Sequence, residues 1–177
     1  MKKKVAVLAV NPVNGIGLFE YLESFFENGI SFKTFAVADT VDIKTNSGIL
    51  IKTDSTVSEL KGHEDDYDAV VFACGDAMPV FGDNADKKYN RDMMDVMKAF
   101  DEKGGIIAGH CAVALVFNRA NIASGRKIAL HPYVKGLNII KDCIPTDEPY
   151  CVDGNIYTAQ TEKTLHLLMP ELLKALK

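Results

Sequence analysis

The sequence predicts an α/β fold in which a mainly parallel sheet is covered by helices on both faces, and three observations carry that expectation. Continuous apolar runs of strand length occur at residues 5–10, 69–73 and 106–108, as strands buried on both faces require. Segments with apolar residues at helical spacing lie between such runs. Short connections rich in Gly, Asn and Pro join the two kinds of segment. This alternation is the pattern of parallel pairing through right-handed crossovers.

The elements follow in order along the chain. Residues 5–10 form a first strand. Lys2-Lys3-Lys4 ahead of it imitate the charged start of a secretory leader, but the apolar run stops at Asn11-Pro12 without a small-residue cleavage site. A loop containing Pro12, Gly15 and Gly17 leads to a helix carrying Leu18, Tyr21, Leu22, Phe25 and Phe26, which stops at Asn28-Gly29. Residues 31–37 read as a second strand and 41–51 as a hairpin around Thr45-Asn46-Ser47-Gly48. After the acidic stretch Glu64, Asp65, Asp66 and Asp68, residues 69–73 make a central strand. Met93, Met94, Val96, Met97 and Phe100 mark the core face of a helix over 91–100, closed by Gly104-Gly105. Residues 106–108 give the next strand and 112–120 the next helix. Residues 126–130 and 137–140 are expected as short strands, 150–159 as a second hairpin around Asp153-Gly154, and Leu165, Leu168, Leu172, Leu173 and Leu176 as the buried stripe of a closing helix. No repeat, low-complexity tract or linker divides the sequence, so residues 1–177 are expected to form one domain.

Charge and composition exclude several classes of function. A formal net charge of −4 is the wrong sign for a nucleic-acid surface, which needs clustered Lys and Arg. No segment has the length of a membrane span. Cys74, Cys111, Cys143 and Cys151 are irregularly spaced, with no CxxC pair, which fits a reduced, cytoplasmic setting better than zinc or dithiol chemistry. Cys143 and Cys151 are close enough to flank a turn and pair; the alternative is that both are small half-buried thiols. Gly15-x-Gly17 lacks the third glycine of a dinucleotide turn, Glu20 standing in its place, so no cofactor is expected.

In open sheets of this kind ligands bind beyond the carboxyl ends of the strands, which points to the loops starting near Asn11, Cys74 and His110. Gly109-His110-Cys111-Ala112 joins a buried strand to a helix. A thiol on such an elbow projects from a tight turn, and the helix end favours its thiolate. Cys111 is therefore read as a nucleophile, the other reading being a cysteine that only packs. Val113 stands where the G-x-S-x-G pattern has its second glycine. His110 and His131 are the candidate partners, His131 being favoured because it leaves a strand end beside Pro132. Gly75, after the neighbouring strand, permits backbone amides to approach an oxyanion, with Ala112 supplying a second donor. His110 and Asp76 are expected to border the pocket. The spacing of Cys111, His110 and His131 matches no standard metal site, so no metal is expected.

Residues 105–112, the Leu130-His131-Pro132 segment and the strand ending in Ala73-Cys74-Gly75 together resemble the ThiJ/PfpI superfamily over nearly the whole chain. The resemblance implies a three-layer, flavodoxin-like sandwich with a nucleophile elbow, usually as a homodimer. It implies a cysteine-dependent hydrolase of intracellular-protease, deglycase or glyoxalase type, with a small-molecule or peptide substrate. The alternative within the family is a redox or stress-response protein that senses oxidation through Cys111. In both, the family's cysteine maps to Cys111, its partner histidine to His131 and its oxyanion glycine to Gly75. Two departures stand out. Asn14 occupies the place of the family's first-loop acid; its amide can hydrogen-bond the sulfur but cannot exchange a proton at neutral pH. His110 precedes the cysteine, whereas the protease branch has its histidine just after it, where this chain has Ala112.

Overall fold

The computed structural model describes residues 3–140 and 142–177. The chain starts as β1 (Lys4–Val10), crosses through α1 (Gly15–Glu27) and returns as β2 (Ser31–Val37). The hairpin β3 (Asp42–Lys44) and β4 (Leu50–Lys52) precedes the short strand β5 (Ser55–Thr56) and the single turn α2 (Val57–Leu60). Next come β6 (Ala69–Ala73), α3 (Phe81–Asn84), α4 (Lys88–Glu102), β7 (Ile106–His110) and α5 (Val113–Arg119). The last third contains β8 (Lys127–Ala129), α6 (Pro132–Leu137), β9 (Ile144–Thr146), β10 (Tyr150–Asp153), β11 (Ile156–Ala159) and α7 (Leu165–Leu176).

Seven strands form the main sheet in the order β10-β11-β7-β6-β1-β2-β5. All its pairings are parallel except β10 with β11. The sheet is flanked by helices, as the sequence predicts: α1 packs beside α7, and α4 packs beside α2 and α5. β1 and β6 lie at the centre with nearly every side chain buried, which is why both read as unbroken apolar runs. The chain leaves β1 toward β2 and comes back to β6 on the other side. That reversal opens a crevice above the carboxyl ends of β1 and β6.

Asp92, buried on α4, ties that helix to α2. It accepts from Ser58 Oγ at 2.6 Å and pairs with Lys61 at 3.1 Å and with Lys88. Burial alone would raise its pKa, but Lys88, Ser58 and Lys61 together bring it down to about 2.

One expectation is corrected and one is extended. Residues 137–140 are not a strand: Pro132 sits in the first turn of α6, His131 caps the helix, and Asn138 ends it with φ +51°, a left-handed stop that Asn tolerates. The hairpin at 150–159 exists, but β11 also pairs in parallel with β7. This makes it a full member of the main sheet, with a loop of its own at the site.

Candidate active site

The loops after β1 and β6 are laced together. The Asn14 N–H donates to the Cys74 carbonyl at 2.8 Å. A Cβ on Gly75 would lie 2.1 Å from the Pro12 carbonyl oxygen and 2.5 Å from Val13 Cα, so only glycine allows the approach. The β3–β4 hairpin braces the same loops, with Val13 N–H on the Lys44 carbonyl, Asn46 N–H on the Val13 carbonyl, and Asp76 N–H on Asn46 Oδ1 at 3.1 Å. Asn46 thereby reaches the site from a segment that carried no catalytic signal.

Cys111 has φ +57°, a left-handed conformation that is costly for a residue with a Cβ and persists only where its surroundings impose it. Its N–H donates to the Ala159 carbonyl on β11 at 3.2 Å. Beneath the turn, a Cβ on Gly109 would come within 2.5 Å of Val113 Cγ2. Val113 thus fills the space left by Gly109, so a valine is accommodated where the elbow pattern has glycine. The half-buried Cys111 borders a cavity of about 790 Å³. Cys74, Gly75, Asp76, Asn14 and Glu162 also border it, and an apolar wall is made by Met78, Phe81, Leu115, Val134 and Ile139.

The β6–β7 register pairs Phe72 with Gly109; continued past the strand ends, it sets Cys74 beside Cys111. The Cys74 thiol, only 1% exposed, lies beside the Cys111 sulfur and is the largest influence holding the Cys111 pKa below its ordinary value. Burial of Cys111 opposes this, the Ala112 N–H supports it, and the charges of Glu162 and Asp76 oppose it more weakly. Cys74 moves the other way, raised by that same contact and by burial. Of the two thiols, Cys111 is therefore the one whose thiolate is favoured. The helix whose end is expected to favour the thiolate, α5, has seven residues, and the N–H of its N-cap Ala112 is one of the groups that lower the Cys111 pKa.

All the residues singled out from the sequence border one cavity, in different roles. Asn14 caps α1, its Oδ1 accepting from the Gly17 N–H at 3.1 Å. The Ala112 N–H points at Cys74 Sγ, 3.4 Å away. His131 Nδ1 accepts from the Tyr133 N–H at 3.1 Å, leaving the ring proton of the neutral form on Nε2. His110 is fully buried against Tyr21, with Nδ1 3.5 Å from the Tyr21 hydroxyl, and burial pushes its pKa down to about 3. A Cβ on Gly17 would lie 2.3 Å from His110 Nε2, so a glycine at this place in the first turn of α1 leaves room for the ring. Cys143 and Cys151 are free thiols. Sequence reasoning missed Glu162, which lies just beyond β11, and the part played by Cys74. The strand-end rule would have found Glu162 had β11 been recognised as the parallel neighbour of β7.

Among the described residues no three His, Cys, Asp or Glu side chains are grouped to hold a metal ion, and no helix is long and apolar enough to cross a membrane. A mainly parallel α/β sheet flanked by helices, with a strained strand-to-helix turn at Cys111 on its carboxyl edge, defines the class of α/β fold. Within that class the chain belongs to the DJ-1/PfpI family, whose profile matches residues 3–175. Protein ppBat of Bacteroides thetaiotaomicron is 55% identical over 177 residues, 100% of both chains. A crystal structure described as "the putative protease I from Bacteroides thetaiotaomicron" superposes with a TM-score of 0.95 at 55% identity, covering 99% of each chain. Drosophila melanogaster DJ-1beta shares the fold, with a TM-score of 0.85 at 19% identity over 99% of this chain and 91% of its own.

Proposed function

We propose that the protein is a cysteine-dependent hydrolase of the PfpI type, acting on a small carbonyl compound or short peptide held in the cavity. The observation that carries this reading is the state of Cys111: a strained, accessible sulfur whose pKa is lowered by Cys74 and by the Ala112 N–H, and the thiolate is the attacking form of cysteine. The cavity, about 790 Å³ with an apolar wall, suits a small ligand. The protease label carried by the 55% identical Bacteroides structure points the same way.

In this reading the Cys111 sulfur attacks the carbonyl carbon, and the Gly75 and Ala112 N–H groups receive the oxyanion, the latter exchanging its contact with Cys74 for the stronger acceptor. His131, with Nδ1 engaged by Tyr133, presents its Nε2–H as a hydrogen-bond donor to the leaving group, which takes its proton from water as it departs. Glu162 influences Cys111 more strongly than Asp76 does; it takes the place of the first-loop acid and draws the proton from the water that releases the acyl group.

Turnover of methylglyoxal and of a peptide ester tests this. Cys111→Ser should abolish activity, and Glu162→Gln should lower kcat by roughly 10²–10⁴-fold. Wild-type protein inert toward both substrate classes, or a Cys111→Ser variant that keeps the activity, would count against it.

A further inference from the structure

We propose that Cys74 is a resolving thiol for Cys111, so that a hydroperoxide converts the pair into an intramolecular Cys74–Cys111 disulfide that reversibly closes the site. The proposal needs only a reactive Cys111 and does not depend on the hydrolase reading.

Three observations carry it. The β6–β7 register, whose last pair is Phe72 with Gly109, sets the two residues side by side when continued two positions; the strand spacing of about 4.8 Å from which they emerge is within the range of roughly 4.4–6.8 Å that a disulfide spans. The Ala112 N–H, next in sequence to Cys111, contacts Cys74 Sγ at 3.4 Å, so the Cys74 side chain is turned toward the elbow. Both residues border the same cavity, yet Cys111 is open to a small oxidant while Cys74 is 1% exposed. This separates an accessible sulfur from a protected one.

The chemistry balances in two steps. The Cys111 thiolate attacks the distal peroxide oxygen, the O–O bond breaks, and the alkoxide or hydroxide released takes a proton from water; sulfur is oxidised by two electrons to the sulfenic acid as the peroxide is reduced. The Cys74 sulfur then attacks the Cys111 sulfur, the S–O bond breaks, and the hydroxyl leaves with the Cys74 proton as water. A sulfenic acid without a thiol beside it is oxidised further to the sulfinic acid. Here the resolving thiol is already in place, and the intramolecular step outruns a second encounter with peroxide. A dithiol reductant returns both thiols by exchange.

Full-length protein treated with a few equivalents of hydrogen peroxide or tert-butyl hydroperoxide, at least two per protein, then analysed by intact mass and peptide mapping, tests the proposal. The expected result is a loss of two hydrogen atoms, a cross-linked peptide joining Cys74 to Cys111, and full reversal by dithiothreitol. A Cys143→Ser/Cys151→Ser protein should behave identically. Cys74→Ser should give no cross-link and should gain two oxygen atoms at Cys111. Wild-type protein that gains oxygen at Cys111 without the cross-link, or that cross-links through Cys143 or Cys151, would overturn it. Turnover of the reduced protein is measured separately, so failure of the hydrolase reading and failure of this one are distinguishable.

Discussion

His110 and Cys111 are neighbours in sequence with opposite environments, and the difference is measurable. Cys111 is half-exposed to the cavity, whereas His110, which also borders it, is fully buried under α1 with its pKa pushed from 6.5 to about 3. In the unfolded chain His110 takes up a proton below pH 6.5 that the folded protein refuses. Its contribution to stability is therefore complete above pH 6.5 and is lost as pH falls toward 3, with a slope of up to about 1.4 kcal/mol per pH unit. Urea unfolding between pH 7 and 4.5 lies above the titration of Asp54 and Asp92, both of which are lowered. Wild-type stability should decline over this window and the His110→Gln variant should decline less; equal slopes would contradict the assignment. The sequence made Cys111 legible because an apolar strand, a glycine and a helix start converge on it. It did not show which way His110 points, since adjacent side chains at an elbow diverge. The clue was Gly17, whose missing side chain is explained only by the ring that fills its place.

At the scale of elements, the α2–α4 contact rests on one buried carboxylate. Lys61 and Lys88 remain partly solvated, 44% and 65% exposed, so their losses on removal of the charge are screened. Asp92 itself is buried and would be left with weakened partners. Asp92→Asn should therefore cost about 1–3 kcal/mol in denaturant unfolding near neutral pH, with no change in cysteine reactivity; a neutral substitution would show that the helices dock without it. Because the Asp92 pKa is depressed, its contribution is present above the unfolded value of 3.8 and is lost as pH falls through about 2. Strands and helices with long apolar periodicity were readable in advance. The exception at 132–140 shows why short ones were not. Leu137, Ile139 and Ile140 resemble a strand by composition, but Pro132 at the helix start and Asn138 at its end decide the backbone instead.

At the scale of the whole molecule, strand order creates the site, and strand order is what a sequence shows least. The order β11-β7-β6-β1 brings Glu162, Cys111, Cys74 and Asn14 to one edge, although 148 positions separate the first of these from the last in the chain. Cys74 was read only as the neighbour of a useful glycine; its pairing with Cys111 exists because β6 and β7 are adjacent and in register. The central claim is that this neighbour, together with the Ala112 N–H, lowers the Cys111 pKa against burial and the opposing charges of Glu162 and Asp76. The direct measurement is the alkylation rate of each cysteine as a function of pH, in the wild type and in Cys74→Ala and Cys74→Ser. Cys111 should react first, with a midpoint below that of an ordinary thiol. Cys74→Ala should move the midpoint up, and Cys74→Ser, which keeps a hydroxyl donor, should hold it down. A Cys111 that reacts no faster than Cys151 near neutral pH, or a midpoint unmoved by Cys74→Ala, would contradict the account.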